Sequence, residues 1–193
     1  SVAYGLKSYH EAVETNSSPN NFTKIFSPAY IYNQFAPPGC NGGMLIQDAL
    51  DKLKNEGVSR YVDFPYNEFN CNNKPTKTIK EKAENFKISD WGYLDPNDII
   101  SIKSQLNNKF PVIIGMNFGT TFQNLGNNQI YKGESGFDTG KHAMVVVGYD
   151  DSKKAFKLFN SWGQSWGTNG YGWINYQTFT RKVKEAYIAL DAK

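Results

Sequence analysis

A chain of 193 residues and 21.8 kDa, with 39% hydrophobic and 15% aromatic residues, can bury one sizeable core or two small lobes and is too rich in aromatics to be disordered. The formal net charge of +3 is the balance of 21 basic and 18 acidic residues scattered along the sequence, so no block of like charge is available to grip nucleic acid. No apolar run approaches the roughly 20 residues of a membrane span; Phe110 to Met116 and Ala143 to Gly148 have strand length, and no membrane partner is expected.

In chain order, Val2, Ala3, Leu6, Tyr9 and Val13 fall at helical spacing, and the polar stretch Thr15 to Asn21 then breaks the pattern, so a first helix starts almost at Ser1. Ser27 as cap and Pro28 at the first helical position signal a second short helix running toward Gln34. After Gly42 and Gly43, the residues Met44, Leu45, Ala49, Leu50 and Leu53 predict the apolar face of a third, with Gly57 as its stop. From Phe86 the character changes: a strand is expected near Phe86 to Ile88, then a helix introduced by Asp95 and Pro96 and carrying Ile99, Ile100, Lys103 and Leu106. Strands follow at Pro111 to Phe118, His142 to Tyr149, Ala155 to Ser161, Tyr171 to Ile174 and Ala186 to Leu190, separated by Gly, Asn or Asp turns. The reading is an α+β chain, mainly helical over residues 1–90 and mainly β over 91–193.

Cys40 and Cys71 fit neither a CxxC redox pair nor a zinc-ligand spacing, so no metal site is expected. They can close one disulfide in an oxidising compartment or stay as two thiols in a reducing one. Of the two histidines, His10 lies on a helical face and reads as structural or solvent-facing. His142 opens one expected strand, and Asn160 closes the next within GKHAMVVVGYDDSKKAFKLFNSWGQSWGTNGYGWI, Gly140 to Ile174. A turn at Asp150 to Lys154 makes these strands a hairpin and brings His142 near Asn160. A catalytic imidazole needs such an acceptor, which fixes its tautomer and aims its other nitrogen at a nucleophile.

His-Ala followed by an apolar run and Gly-Tyr, then Asn-Ser-Trp-Gly, Trp-Gly and Gly-Tyr-Gly, resembles the second half of papain-like cysteine peptidases. Gly-Cys-Asn-Gly-Gly at Gly39 to Gly43 is similar to that family's substrate-binding loop, and Phe-Pro-Tyr at Phe64 to Tyr66 fits as well. The resemblance covers nearly the whole chain and is nearest to bacterial members, whose nucleophile opens a helix reading Cys-Val-Ala-Tyr or similar. It implies a two-lobe fold, a helical lobe and an antiparallel β-barrel-like lobe with the active-site cleft between them.

The resemblance puts Ser1 where the family has its catalytic cysteine, and the interval from Ser1 to His142 lies within the roughly 130 to 150 residues of papain and the cathepsins. It makes Ser1, His142 and Asn160 the catalytic set, and Asn41, Gly42, Gly43, Met44, Lys141, Ala143 and Trp162 the substrate-contacting set, with Trp162 covering the Asn160–His142 bond. Cys40 and Cys71 are the disulfide candidates. A serine hydroxyl resists the ionisation that a thiol undergoes, and Asn160 is neutral, so little peptidase activity is expected of the chain as it stands. Rival readings make Ser1 a helix cap or a nucleophile whose own amine is the base. Family members also carry a preceding segment whose glutamine helps form the oxyanion hole, and the sequence is expected to lack it. No metal or organic cofactor is expected. The expected partners are a peptide or protein substrate and a propeptide or inhibitor, with the chain monomeric and secreted or at the cell surface.

Overall fold

The structure, a computed structural model, describes residues 1–14, 25–37, 39–67, 70–134 and 136–191. The chain divides into two compact units, one made of Val2–Trp91 with Ala189–Lys193, the other of Ser1 with Gly92–Ile188.

The first unit is helical. A π-helical stretch, Val2–Lys7, runs into α1 (Ser8–Glu14) and buries Val2 and Leu6, as their spacing requires. The polar stretch Thr15 to Asn21 lies outside the described residues. In α2 (Pro28–Phe35) the Ser27 side chain accepts the Tyr30 amide at 3.1 Å, while Pro28 sits where a backbone N–H would have no helical partner anyway. The stripe Ile46, Ala49, Leu50 and Leu53 is the buried face of α3 (Ile46–Asn55), and burying each of its larger side chains stabilises the unit by about 1.5–3 kcal/mol. Met44 and Leu45, expected on this face, precede the helix; Leu45 takes the N-cap position and is 63% exposed. Gly57 ends the helix turn at φ 77°, where a Cβ would lie 2.0 Å from the Ala83 carbonyl oxygen, so only glycine fits.

Two further elements depart from expectation. Helix α4 (Lys77–Ala83), capped by Thr76, buries only Ala83 and so has no apolar stripe to announce it. Phe86 belongs to a 3-10 turn, Glu84–Phe86, rather than to a strand, and β1 is Ile88–Leu94. The physical reason lies in its ring, which packs edge-on against Phe26 at 5.1 Å and beneath the Arg60 guanidinium at 4.4 Å. Arg60 in turn reaches Glu11 at 2.8 Å. His10 is buried, only 6% exposed, which overturns its solvent-facing reading; it lies beside the ion pair of Lys7 and Asp191, with its Nδ1 3.8 Å from an Asp191 oxygen.

The second unit is built on the sheet. Helix α5 (Ile99–Asn107) is capped by Asp98, which accepts the Ser101 amide at 2.9 Å, and not by Asp95, whose carboxylate is committed to Asn97 in the preceding turn. Then come β2 (Val112–Phe118), a single turn α6 (Thr120–Gln123), β3 (Ile130–Tyr131), β4 (Gly140–Asp150), β5 (Ala155–Phe159), β6 (Tyr171–Asn175), α7 (Tyr176–Lys182) and β7 (Val183–Asp191). The seven strands are ordered β1-β7-β2-β4-β5-β6-β3, and the division between the units falls within β1 and within β7. The pairs β2 with β4 and β7, β4 with β5 and β5 with β6 are antiparallel, whereas the two-residue β3 lies parallel to β6, so the sheet is mixed. Its core gathers Val112, Ile114 and Met116 from β2, Met144 and Val146 from β4, and Phe156 and Leu158 from β5, with Phe122, Trp166 and Phe179. The fold class is α+β, as the sequence reading held. Among the described residues no helix is long and apolar enough to cross a membrane.

Candidate active site

Strand β4 fixes the imidazole: pairing with β2 sets Met116 opposite His142 and Gly115 opposite Ala143. On its other side β4 pairs with β5 as far as Val145 opposite Phe159, and Asn160 is the next residue of that chain. The Asn160 amide donates to the Gly170 carbonyl at 3.0 Å, which anchors the backbone where β5 ends. From there its side chain reaches His142, with Nε2 and Oδ1 2.8 Å apart.

The hydrogen bonds at Asn160 determine the tautomer. Oδ1 also accepts the Ser161 backbone N–H at 2.7 Å, and since a backbone amide can only donate, that atom must be the carboxamide oxygen. His142 therefore donates from Nε2, and in the neutral ring the basic lone pair is on Nδ1. Such a ring can take a proton from an adjacent nucleophile and return it to a leaving group. Asn160 is itself buried, and its Nδ2 has no hydrogen-bond partner among the described residues.

An aromatic wall surrounds the pair. The Trp162 ring stacks on the imidazole with centroids 4.5 Å apart and planes 18° apart. Phe118, at the end of β2, stands edge-on to both, 6.0 Å from His142 and 5.3 Å from Trp162. Phe122 and Trp166 stand edge-on to Trp162 from behind, and the Trp166 indole N–H donates to the Phe122 carbonyl at 3.0 Å. This burial pushes the His142 pKa below its ordinary value, while the bond to Asn160 works the other way.

Ser1 belongs to this same unit, and its hydroxyl donates to the carbonyl oxygen of Ala143, the residue after His142. It immediately precedes the π-helical stretch, a rare backbone form concentrated at functional positions. Lys141 is exposed and Ala143 half-buried. Sequence reasoning missed Phe118 and Phe122, which read as ordinary core aromatics because nothing in their spacing announces which rings will meet the imidazole.

The remaining candidates lie in the helical unit. Cys40 and Cys71 are joined by a disulfide, with Cα atoms 5.8 Å apart. Gly39 and Cys40 have φ of 84° and 60°, and the Tyr32 hydroxyl lies 3.0 Å from the Cys40 carbonyl and 2.8 Å from that of Gly42. Asn41 and Gly43 are exposed; Gly42 and Met44 are half-buried. The two glycines differ in cause. A Cβ on Gly42 would sit 2.7 Å from the Pro37 ring, whereas one on Gly43 would meet nothing within 4 Å, so packing explains the first and leaves the second as bare, approachable backbone. Among the described residues no group of three or more His, Cys, Asp or Glu is placed to hold a metal ion.

Comparison with known proteins meets this geometry. The model of the family described as papain family cysteine protease matches residues 24–189. The oryzain beta chain of Oryza sativa subsp. japonica is 31% identical over 138 residues, covering 69% of this chain and 28% of that protein. Mexicain from Jacaratia mexicana is 31% identical over 140 residues, 72% of this chain and 61% of that protein. The chain spans 28%, 28% and 42% of the length of the first three curated relatives it matches. Among solved structures, xylellain, a cysteine protease from Xylella fastidiosa, superposes with a TM-score of 0.78 over 99% of this chain and 78% of that one at 23% identity, a likeness of fold.

Proposed function

Because the chain belongs to the papain family of cysteine proteases, we propose that it is an endopeptidase domain working through Ser1, His142 and Asn160, with serine where the family's mechanism uses cysteine. The observation that carries this reading is the imidazole fixed in one tautomer by Asn160, next to the residue whose carbonyl accepts the Ser1 hydroxyl. For Ser1 the support is positional, since the family match begins downstream of it.

With a thiol at position 1 the chemistry is acyl transfer. His142 Nδ1 takes the thiol proton, the thiolate attacks the peptide carbonyl, the imidazolium returns its proton to the leaving amine, and water then hydrolyses the acyl-enzyme. A hydroxyl in that place is held back twice. It ionises far less readily than a thiol whose ordinary pKa is about 8.5. Its proton is also given to a backbone carbonyl, and Asn160 brings orientation without the negative charge that steadies an imidazolium in serine peptidases. The chain as written is therefore inactive or nearly so.

In the helical unit Asn41, Gly42, Met44 and the bare backbone of Gly43 are proposed as substrate contacts, and in the sheet unit Lys141, Ala143 and Trp162; a propeptide or inhibitor would compete for these residues. The Cys40–Cys71 disulfide supports an oxidising location, secreted or at the cell surface. The function is tested by Ser1→Cys, assayed on a fluorogenic peptide with and without iodoacetamide. Turnover that the alkylating agent abolishes supports the reading; a folded Ser1→Cys protein with no turnover overturns it.

A second reading, a natural pseudopeptidase that binds peptides without cutting them, is favoured by the engaged Ser1 hydroxyl. It predicts calorimetric binding of peptides by the unaltered chain and serine encoded at this position in the gene.

A further inference from the structure

One hydrogen-bonded connection in the sheet unit is not used by the chemistry above. The carboxylate of Glu134, in the loop after β3, accepts three backbone amides of the turn that links β2 to α6: Gly119 at 3.0 Å and Phe122 at 3.0 Å on one oxygen, and Thr121 at 2.8 Å on the other. The Tyr131 hydroxyl adds a fourth bond at 3.0 Å. The approach is close: a Cβ on Gly119 would lie 2.7 Å from the Glu134 side chain, which would have to shift.

The turn held in this way carries Phe118 at one end and Phe122 at the other. Phe118 is edge-on to both His142 and Trp162, and Phe122 is edge-on to Trp162 and in ring contact with Tyr131 at 5.0 Å. The amide of Thr139, just before β4, donates to the Phe118 carbonyl at 2.7 Å, so the same turn also touches the strand that bears the imidazole.

We propose that Glu134 is a positioning residue for His142: by tying the Phe118–Phe122 turn it holds Trp162 flat against the imidazole and keeps water from the His142–Asn160 bond. This rests on the reading of His142 as the acid–base group. A cap that served only the four-residue α6 would need one acceptor for one or two amides. Glu134 instead collects three amides of the turn, those of Gly119, Thr121 and Phe122, together with a hydroxyl from β3. Burial alone would raise its carboxyl pKa, but the donors of Thr121, Phe122 and Tyr131 outweigh it and hold the group at about 2, so it stays a full anion over the working pH range.

The test separates positioning from mere stability. In the chain as it stands, His142 ring-proton shifts, assigned by their loss in His142→Ala, report the ring current of Trp162, and a pH titration gives the His142 midpoint. Glu134→Gln is expected to move the ring protons downfield and to raise the midpoint by about half a unit, as burial is relieved. Gly119→Ala, which crowds the same carboxylate without removing it, is expected to do likewise, and it carries the test should Glu134→Gln fail to fold. In a Ser1→Cys background Glu134→Gln should lower kcat about tenfold with KM changed less than about twofold. Ring-proton shifts and a midpoint that stay put while the thermal midpoint falls would overturn the proposal and leave Glu134 a structural cap. Absence of turnover in Ser1→Cys would sink the peptidase reading instead, and the titration would still decide the role of Glu134.

Discussion

His142 lies face to face with Trp162, its ring centroid 4.5 Å away and its plane tilted by 18°. Stacking of this kind shields one side of the Nε2–Oδ1 bond to Asn160, and a shielded hydrogen bond is stronger than one that water can replace. Trp162→Ala should therefore raise the His142 pKa toward its ordinary value, since burial is the first cause of its depression. In a Ser1→Cys background it should cut kcat/KM by about tenfold to a hundredfold. The titration is read by NMR, and a midpoint that falls further would contradict the argument.

The orphaned amide of Asn160 makes a second prediction. Its oxygen accepts from both His142 and Ser161, while its Nδ2 donates to nothing among the described residues, so a carboxylate of the same shape loses no bond. Asn160→Asp should raise the His142 pKa by about one unit or more, because the new negative charge favours the imidazolium. It should also make the Ser1 hydroxyl more reactive toward a fluorophosphonate, which phosphonylates the oxygen with loss of fluoride. An unchanged His142 titration would mean that the bond to residue 160 is not kept.

His10 gives the helical unit a pH dependence of definite sign. Burial first of all, with Lys7 adding to it and Asp191 opposing, lowers its pKa to about 4, and neither ring nitrogen has a hydrogen-bond partner among the described residues. The unfolded chain takes the proton near pH 6.5 and the folded one only near 4. Stability is thus complete above about 6.5 and falls as the pH drops toward 4, by on the order of 3 kcal/mol. Urea denaturation between pH 7.5 and 4 measures the loss, and His10→Phe, which cannot titrate, should flatten it. A parallel decline in both proteins would assign the effect elsewhere.

Removing the crosslink by Cys40→Ser with Cys71→Ser should destabilise the protein by about 3–4 kcal/mol on chain-entropy grounds. The thermal midpoint in the absence and presence of reductant checks it. The wild-type protein should lose stability on reduction and the double variant should not respond.

How much of this was legible before the structure depends on what each residue does. Ser27 with Pro28 announced α2 because capping is local, and His142 and Asn160 announced themselves because hairpin pairing converts sequence distance into proximity. Helices α4 and α7 left little trace, being short and presenting charged or mixed faces where apolar periodicity reports only burial. Asp95 and Asp98 offer the same side chain three residues apart, and only the backbone decided which one caps α5. Leu45 looked like core and is exposed, because the helix begins one residue after it. Glu134 could not have been found at all: its importance lies in where four donors converge, and no pattern along the chain encodes that.

The division of the chain has a consequence for biosynthesis. The helical unit includes Ala189 and its neighbours, and the sheet unit includes Ser1, so each unit is closed by residues from the opposite end of the chain. The acid that meets Lys7, Asp191, leaves the ribosome only after the whole sheet has been translated. At about 5–20 residues per second Lys7 waits roughly 10–40 seconds for it. Ala189 to Asp191 thus act as a latch, and a nascent chain stalled before them should remain open to proteases in the segment around Lys7.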